Sequence, residues 1–359
     1  MNMSGAPAVT LDPAKLEELL GRFVNDLGAA FHAVNAVIGD RLGLYAALAE
    51  TGPASPEEVA ARAGCDSRPV REWLRAQAAG GYVTCDPRTE QYSLSPEQAF
   101  ALADPHGMSL PGAFLAPIAT AKTEPAITES FRTGSGVPWG SQHADLFPGT
   151  ARFYGAGYAA ELVPSWIPAL EGVEDKLRTG ARVADVGCGY GVSTILMAQA
   201  YPNSSFTGFD IHEASIEAAR ERAAAEGVSG RVSFEVAAAD EYPARELDLI
   251  TIFDAFHDLG DPAAAAHHAL ASLLPDGTLV LAEPRAGDRV EENFNPVGRL
   301  FYNASALICV PNSVSQDTGA ALGAQAGEMR LREVLTGAGF TSVRRAAETP
   351  FNMILEARP

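Results

Sequence analysis

Lysine is scarce in this 359-residue chain, which has only Lys15, Lys122 and Lys176. Cysteine is nearly as sparse. Cys65, Cys85, Cys188 and Cys309 are scattered with no CxxC pair, so neither a zinc spacing nor a disulfide framework is indicated and four free thiols are expected. No window approaches the roughly 18 consecutive apolar residues of a membrane span, and the start MNMSGAPAV lacks a basic region ahead of an apolar run. A soluble, cytoplasmic protein without membrane association is the expectation. Positive charge is also short, with 26 Lys and Arg against 45 Asp and Glu and a formal net charge of −19. Such a surface repels phosphate backbones over most of its area and argues against a general nucleic-acid binder. No acidic or histidine cluster has metal-ligand spacing, so no metal is expected.

The apolar fraction, 47%, suffices for real cores, and the length favours two compact units or one large unit with a helical preface. Three regimes appear. Residues 1–109 form an Ala-rich helical part. Ser55 before Pro56, Glu57 and Glu58 is a helix start, Gly64 its stop, and Asp66 the start of a second helix ending at Gly80 and Gly81. "YVTCDPRTEQYSL" alternates around a turn, as a hairpin does, so helix, turn, helix, hairpin give a winged-helix order. Residues 110–172, rich in Gly, Pro and aromatics, read as a linker and pocket wall. From 173 to 359, short β-rich runs ("RVADVG", "SFTGFD", "VSFEVA", "LDLITIF", "TLVLAEP") alternate with helical segments such as "SIEAARERAAAEG" and "PAAAAHHALASLLPDG". That alternation means a parallel, doubly wound α/β sheet. The tail adds a helix near Glu328 to Gly337 and two strand-like runs joined across Thr349 and Pro350.

The first of these strands runs into "DVGCGYGVST", a DxGxGxG spacing of Asp185, Gly187, Gly189 and Gly191. Glycines there permit positive φ and let a ligand lie against bare backbone at a helix N-terminus. Asp210 ends the next strand about 20 residues on, where a carboxylate takes ribose hydroxyls. Together they indicate a nucleoside-bearing cofactor. The dinucleotide pattern would place a small residue where Val192 stands, and no lysine completes a Tyr-x-x-x-Lys pair, so a nicotinamide cofactor fits poorly.

The glycine turn, the acid on the second strand, "AAADEY" after the third and "LDLITIFDAFHD" after the fourth resemble the ordered motifs of class I S-adenosylmethionine-dependent methyltransferases, over about a hundred residues from Val183 to Pro284. The resemblance implies a Rossmann-like doubly wound, mostly parallel sheet and S-adenosyl-L-methionine as cofactor. It implies that Gly187, Gly189, Gly191 and the backbone at Cys188 contact the methionine portion, and that Asp185 orients the loop or receives the ammonium. It further implies that Asp210 binds the ribose, Ile211 packs on the adenine, Asp240 after Ala239 accepts from the exocyclic amine, and Phe253 and Asp254 line the floor beneath the sulfonium.

The end of the fourth strand faces the crevice where such sheets bind ligands, and histidine titrates in the range a base for methyl transfer needs. "FHDLGDP" resembles the HDWxD segment of winged-helix small-molecule O-methyltransferases, with Leu259 where that segment often has tryptophan. The resemblance implies that His257 is the general base, with Glu283 orienting its ring and Asp258 sharing that duty or turning to water. Asp261 before Pro262 is a helix cap.

Arg68, Arg71 and Arg75 share a face of the second winged-helix helix, where a DNA reader would hold its contacts. Against that, residues 1–104 carry eight basic and fourteen acidic residues, a net of −6. In the resembled family this module joins two subunits, and the apolar stretch Leu16 to Leu48 suits a homodimer rather than nucleic acid. Trp139, His143, Phe153, Tyr154, Tyr158, Phe294, Tyr302 and Asn303 are candidates to line a pocket for a small-molecule acceptor, aromatic or natural-product-like. Two other readings remain open: a cofactor-binding relative catalysing a different reaction, and a ligand-responsive DNA regulator.

Overall fold

The computed structural model describes residues 11–104 and 107–359. Residues 1–10, including the start inspected for a leader, and Pro105 and His106 lie outside them. The chain divides into two compact units, one through Phe114 and one from Leu115.

In the first unit, α1 (Pro13–Arg41) starts where the Asp12 carboxylate accepts from the backbone of Ala14 and Lys15. Gly39 lets that helix lie against Trp73, since a Cβ there would stand 2.3 Å from the indole. α2 (Leu44–Thr51) follows. α3 (Pro56–Ala63) opens with a capping box between Ser55 and Glu58 and ends at Gly64 with φ +67°. Asp66 caps α4 (Ser67–Ala79). The hairpin β1 (Thr84–Asp86) and β2 (Gln91–Ser93) sets Cys85 opposite Tyr92, and α5 (Pro96–Leu102) follows. Leu44, Leu48, Val59, Val70, Leu74 and Tyr92 form the core. Along α1 only Ala33, Ala36, Val37 and Gly39 are buried. Leu19, Leu20, Phe23, Val24, Leu27 and Phe31 are all exposed, Phe31 to 69%.

The second unit begins inside the segment that composition set apart as a linker. That segment's helices α6 (Leu115–Thr133) and α7 (Leu146–Glu161), a π-helical turn Leu162–Trp166 and the short α8 (Ile167–Ala169) belong with the sheet. After α9 (Val173–Thr179) come β3 (Arg182–Val186), α10 (Val192–Ala200), β4 (Ser205–Asp210), α11 (Glu213–Ala225), β5 (Val232–Val236), β6 (Leu247–Phe253), α12 (Pro262–Ser272) and β7 (Leu273–Pro284). Then follow α13 (Pro296–Ala304), a second π-helical turn Ser305–Cys309, α14 (Val310–Val314), α15 (Gly327–Gly337), β8 (Ser342–Glu348) and β9 (Asn352–Arg358). The seven strands order as β5-β4-β3-β6-β7-β9-β8. β3 to β7 pair in parallel, while β9 runs antiparallel to both its neighbours.

Neighbouring residues in each central strand face opposite layers, and both layers are covered. Val183, Leu249 and Val280 join one core, whereas Ala184, Ile250, Leu279 and Leu281 join the other. Burial on both faces is why these strands read as continuous apolar runs. One boundary differs from the sequence expectation. "LLPDG" was grouped with the preceding helix, but β7 already begins at Leu273, paired with Leu247 across a register shift. Pro275 cannot continue a helix.

The order of strands makes the chain turn one way after β3, to β4 and β5, and the other way to β6 and β7. The carboxyl ends of β3, β4, β6 and β7 therefore meet around one crevice.

Candidate functional site

The turn after β3 is built around Phe209, whose carbonyl accepts from Gly187 N at 2.7 Å and Cys188 N at 3.0 Å. Gly187, Gly189 and Gly191 have φ of +71°, +51° and +69°, a conformation that side chains rarely adopt. A Cβ on Gly189 would meet nothing within 4 Å, whereas one on Gly191 would press on Phe234 at 2.6 Å. The backbone at Gly189 is thus bare and open, while Gly191 packs against Phe234.

Asp185 is buried and filled by its own chain. Its oxygens accept from Ser193 at 2.7 Å, Thr194 at 2.5 Å and Thr251 at 2.8 Å. Burial raises its pKa, and these hydroxyls oppose the rise. They tie the strand to the start of α10 and to β6, an orienting arrangement for the turn. Asp210 accepts from Gly189 N at 2.9 Å and from His212 N at 2.8 Å, one bond on each oxygen, so further lone pairs stay available. Beside it Ile211 is 55% exposed, an apolar side chain with no cover. Asp240 is exposed and Ala239 half-buried on the turn after β5.

At the other end of the crevice, Phe253 is buried against Tyr158 and Trp166. Asp254 has a left-handed φ of +51°, and three bonds hold it there. Its N–H donates to Ala282 O at 2.7 Å, Tyr158 Oη donates to Oδ2 at 2.7 Å, and Asn352 Nδ2 donates to Oδ1 at 2.8 Å. Strain of this kind persists only where the surroundings over-determine it. Burial, and then the Glu283 charge, push Asp254 up to about 8.

His257 lies in a short turn after β6, only 2% exposed. Its Nδ1 is 2.7 Å from Glu283 Oε2 at the end of β7, and Glu283 Oε1 accepts from Phe256 N at 3.0 Å. Its Nε2 is 3.3 Å from Asp258 Oδ1. Burial opposes a charge on the ring, but Glu283 and Asp258 outweigh it and hold the pKa well above the ordinary value. Asp261 caps α12 through Ala264 N at 2.8 Å.

The aromatic candidates separate into groups. Tyr154 and Tyr158 stack at 6.1 Å with 13° between their planes, and Phe153 meets Tyr154 edge-on at 4.9 Å. Burial first, then the charge of Asp254, raises the pKa of both tyrosines well above normal, so these rings stand by the acidic end of the crevice. Trp139 instead packs on Phe147, whose ring is 4.0 Å from His212, just past Asp210. His143 caps the approach to α7, its Nδ1 accepting from Asp145 N at 3.2 Å. Phe294 is 76% exposed, Tyr302 Oη accepts from Asn293 Nδ2 at 3.4 Å, and Asn303 donates within its own helix to Arg299 O. Asn352 and Cys309 were not among the candidates. Each reaches the site from an element far along the chain, and no local pattern marks either.

Residues 177–330 match the family described as a methyltransferase domain, and residues 30–104 match the Rv2258c-like winged HTH domain. The 27-O-demethylrifamycin SV methyltransferase of Amycolatopsis mediterranei is 37% identical over 109 residues, which is 30% of this chain and 40% of that protein. The chain thus matches less than half of that relative's length. Human N-acetylserotonin methyltransferase, solved with SAM, superposes with a TM-score of 0.70 at 17% identity, over 100% of this chain and 99% of that one. An O-methyltransferase from neocarzinostatin biosynthesis, NcsB1, solved with SAM and 2-hydroxy-5-methyl naphthoic acid, gives 0.58 at 17% identity over 91% and 95%. At such identities the likeness is one of fold.

Proposed function

We propose that this chain, which carries a methyltransferase domain behind a winged HTH domain, transfers the methyl group of S-adenosyl-L-methionine to the hydroxyl of a small aromatic acceptor, with His257 as general base. The observation that carries the reading is the buried His257–Glu283 contact of 2.7 Å at the ends of β6 and β7. When bound, the cofactor would supply an electrophilic methyl carbon on a sulfonium. Gly187, Gly189 and the Cys188 backbone would hold its methionine portion, Asp210 its ribose, and the uncovered Ile211 its adenine, with Asp240 at the adenine edge.

Glu283 fixes the imidazole through Nδ1, which leaves Nε2 as the proton-accepting atom. Asp258, 3.3 Å from Nε2, must give way to an acceptor hydroxyl or share it. Tyr158, bonded to Asp254, with Tyr154 and Phe153 packed beside it, would offer flat apolar faces to the acceptor. Trp139, beside Phe147 and His212, serves the nucleoside end rather than the acceptor.

The exposed apolar side chains of α1 support a homodimer through the N-terminal unit. The three arginines of α4 are engaged by the unit's own acids: Arg68 with Glu72 at 2.6 Å, Arg71 with Glu57 and Glu90, and Arg75 with Glu90 at 2.5 Å. That pairing weighs against phosphate recognition. Among the described residues no helix is long and apolar enough to cross a membrane, and the four cysteines are free, in keeping with a reducing cytoplasm.

The test is S-adenosylhomocysteine release with a panel of phenolic acceptors. His257→Ala should lower kcat by roughly 10²- to 10⁴-fold, the usual worth of a positioned base, with cofactor affinity within about twofold of wild type. Unchanged turnover would make the histidine structural.

A further inference from the structure

From the geometry we infer a binding site for a soft divalent cation of the zinc type, formed by His257 Nε2, Asp258 Oδ1 and Cys309 Sγ. Glu283 fixes the ring from behind. The three donor atoms lie within 4.8 Å of one another, from a buried histidine, a half-buried aspartate and a buried cysteine. Tetrahedral bonds of about 2.0–2.3 Å separate N and O ligands by about 3.3 Å, and N and S ligands by about 3.6 Å. Nε2 and Oδ1 already stand 3.3 Å apart, the separation such a tetrahedron asks for, and the Cys309 sulfur lies within 4.8 Å of both.

Three further observations favour a ligand here. Asp258 Oδ1 is buried and makes no hydrogen bond of ordinary geometry; what faces it at 3.3 Å is His257 Nε2, another donor of the same set. Glu283 Oε2 lies 2.7 Å from Nδ1, the carboxylate–histidine arrangement that orients metal-ligating rings and selects the tautomer with Nε2 free. Cys309 closes the π-helical turn Ser305–Cys309, a local irregularity found often at functional sites. Sequence spacing does not show the cluster, because α12, β7 and α13 intervene before Cys309.

Two protein anions, Asp258 and the Cys309 thiolate, balance a divalent charge, and thiolate with imidazole selects zinc-like ions over magnesium or calcium. Binding releases the thiol proton and the imidazolium proton to solvent and forms the metal–sulfur and metal–nitrogen bonds in their place. A thiol ligand gives up its proton on binding, which a zinc-type ion brings about. The inference rests on the proposed base role only for its consequence: an ion on Nε2 withholds that atom from an acceptor, so such metals inhibit methyl transfer.

Titration of the cofactor-free protein with Co²⁺, displaced afterwards by Zn²⁺, tests the site without any acceptor. One equivalent should bind and show a sulfur-to-metal charge-transfer band that Cys309→Ser abolishes, and Asp258→Asn should weaken binding at least tenfold. Cys65, Cys85 and Cys188 remain in both variants, so a band surviving in Cys309→Ser overturns the assignment, as does the absence of stoichiometric binding in wild type. If Cys309→Ser does not fold, Asp258→Asn decides, and unchanged affinity there overturns the site. Metal bound without loss of S-adenosylhomocysteine release overturns the inhibitory consequence. Metal bound in a protein that methylates nothing sinks the catalytic reading and leaves the site standing.

Discussion

His257 and Glu283 face each other at 2.7 Å with both side chains 2% exposed. A pair so deeply buried is retained at a desolvation cost, and removing one partner strands the other's charge. Under the proposed base role, the pair's electrostatics would also set the pH at which the histidine acts.

Because Glu283 and Asp258 hold the imidazolium, the rising limb of the kcat/KM–pH profile should lie above 6.5, the ordinary histidine value. A base acts only after losing its proton, so activity increases as pH rises through the raised pKa. Asp258→Asn removes one of the two stabilising charges and should move that limb to lower pH. A limb unmoved by this variant would show that another group titrates.

Asp254 makes a separate pH prediction in the cofactor-free protein. Its folded pKa, about 8, exceeds that of an unfolded carboxyl, so its contribution to stability is complete below about pH 4 and is lost as pH rises through 8. Denaturant melts across that window should show wild type losing stability, on the order of a few kcal/mol, relative to Asp254→Asn. Asparagine tolerates the left-handed φ. Parallel curves for the two proteins would contradict the raised pKa.

Gly208 on β4 has no room for a side chain, since a Cβ would stand 2.5 Å from Phe234 and 2.8 Å from Cys188 Sγ. Gly208→Ala should cost about 1–3 kcal/mol, the range for overpacking, and weaken cofactor binding by shifting the glycine turn. Adding Phe234→Leu should recover part of the loss in thermal melts. No recovery would mean that the strain lies elsewhere.

For the N-terminal helix, Leu20→Glu with Phe23→Glu should convert a dimer to a monomer in light scattering while the helical circular dichroism stays unchanged. A wild-type monomer at micromolar concentration would contradict the pairing assigned to α1.

Much of this architecture was legible because local rules applied. Ser55, Asp66 and Asp261 mark helix starts because their side chains accept from first-turn N–H groups, and Gly64 marks an end through its own N–H; strands buried on both faces announce themselves as apolar runs. The positions of Gly187, Asp210, His257 and Glu283 at strand ends followed from the same alternation. What local rules could not show was convergence across the sheet. Asn352 meets Asp254 from the antiparallel β9, and Cys309 reaches the histidine from beyond α13. The aromatic candidates pack in separate groups: composition selects aromatic residues but does not say which neighbours they meet, so Trp139 packs on Phe147 while Tyr154 stacks on Tyr158. The middle segment looked like a linker because Gly and Pro are frequent in it, yet its helices pack with the sheet.

In the proposed function, the crevice at the ends of β3 and β4 binds the nucleoside of S-adenosylmethionine. Isothermal titration of that ligand into wild-type protein and Asp210→Ala tests it most directly. Saturable binding to one site per chain, weakened at least tenfold in a variant with an unchanged thermal melt, is the predicted result. No heat from either S-adenosylmethionine or S-adenosylhomocysteine with demonstrably folded wild-type protein would contradict it.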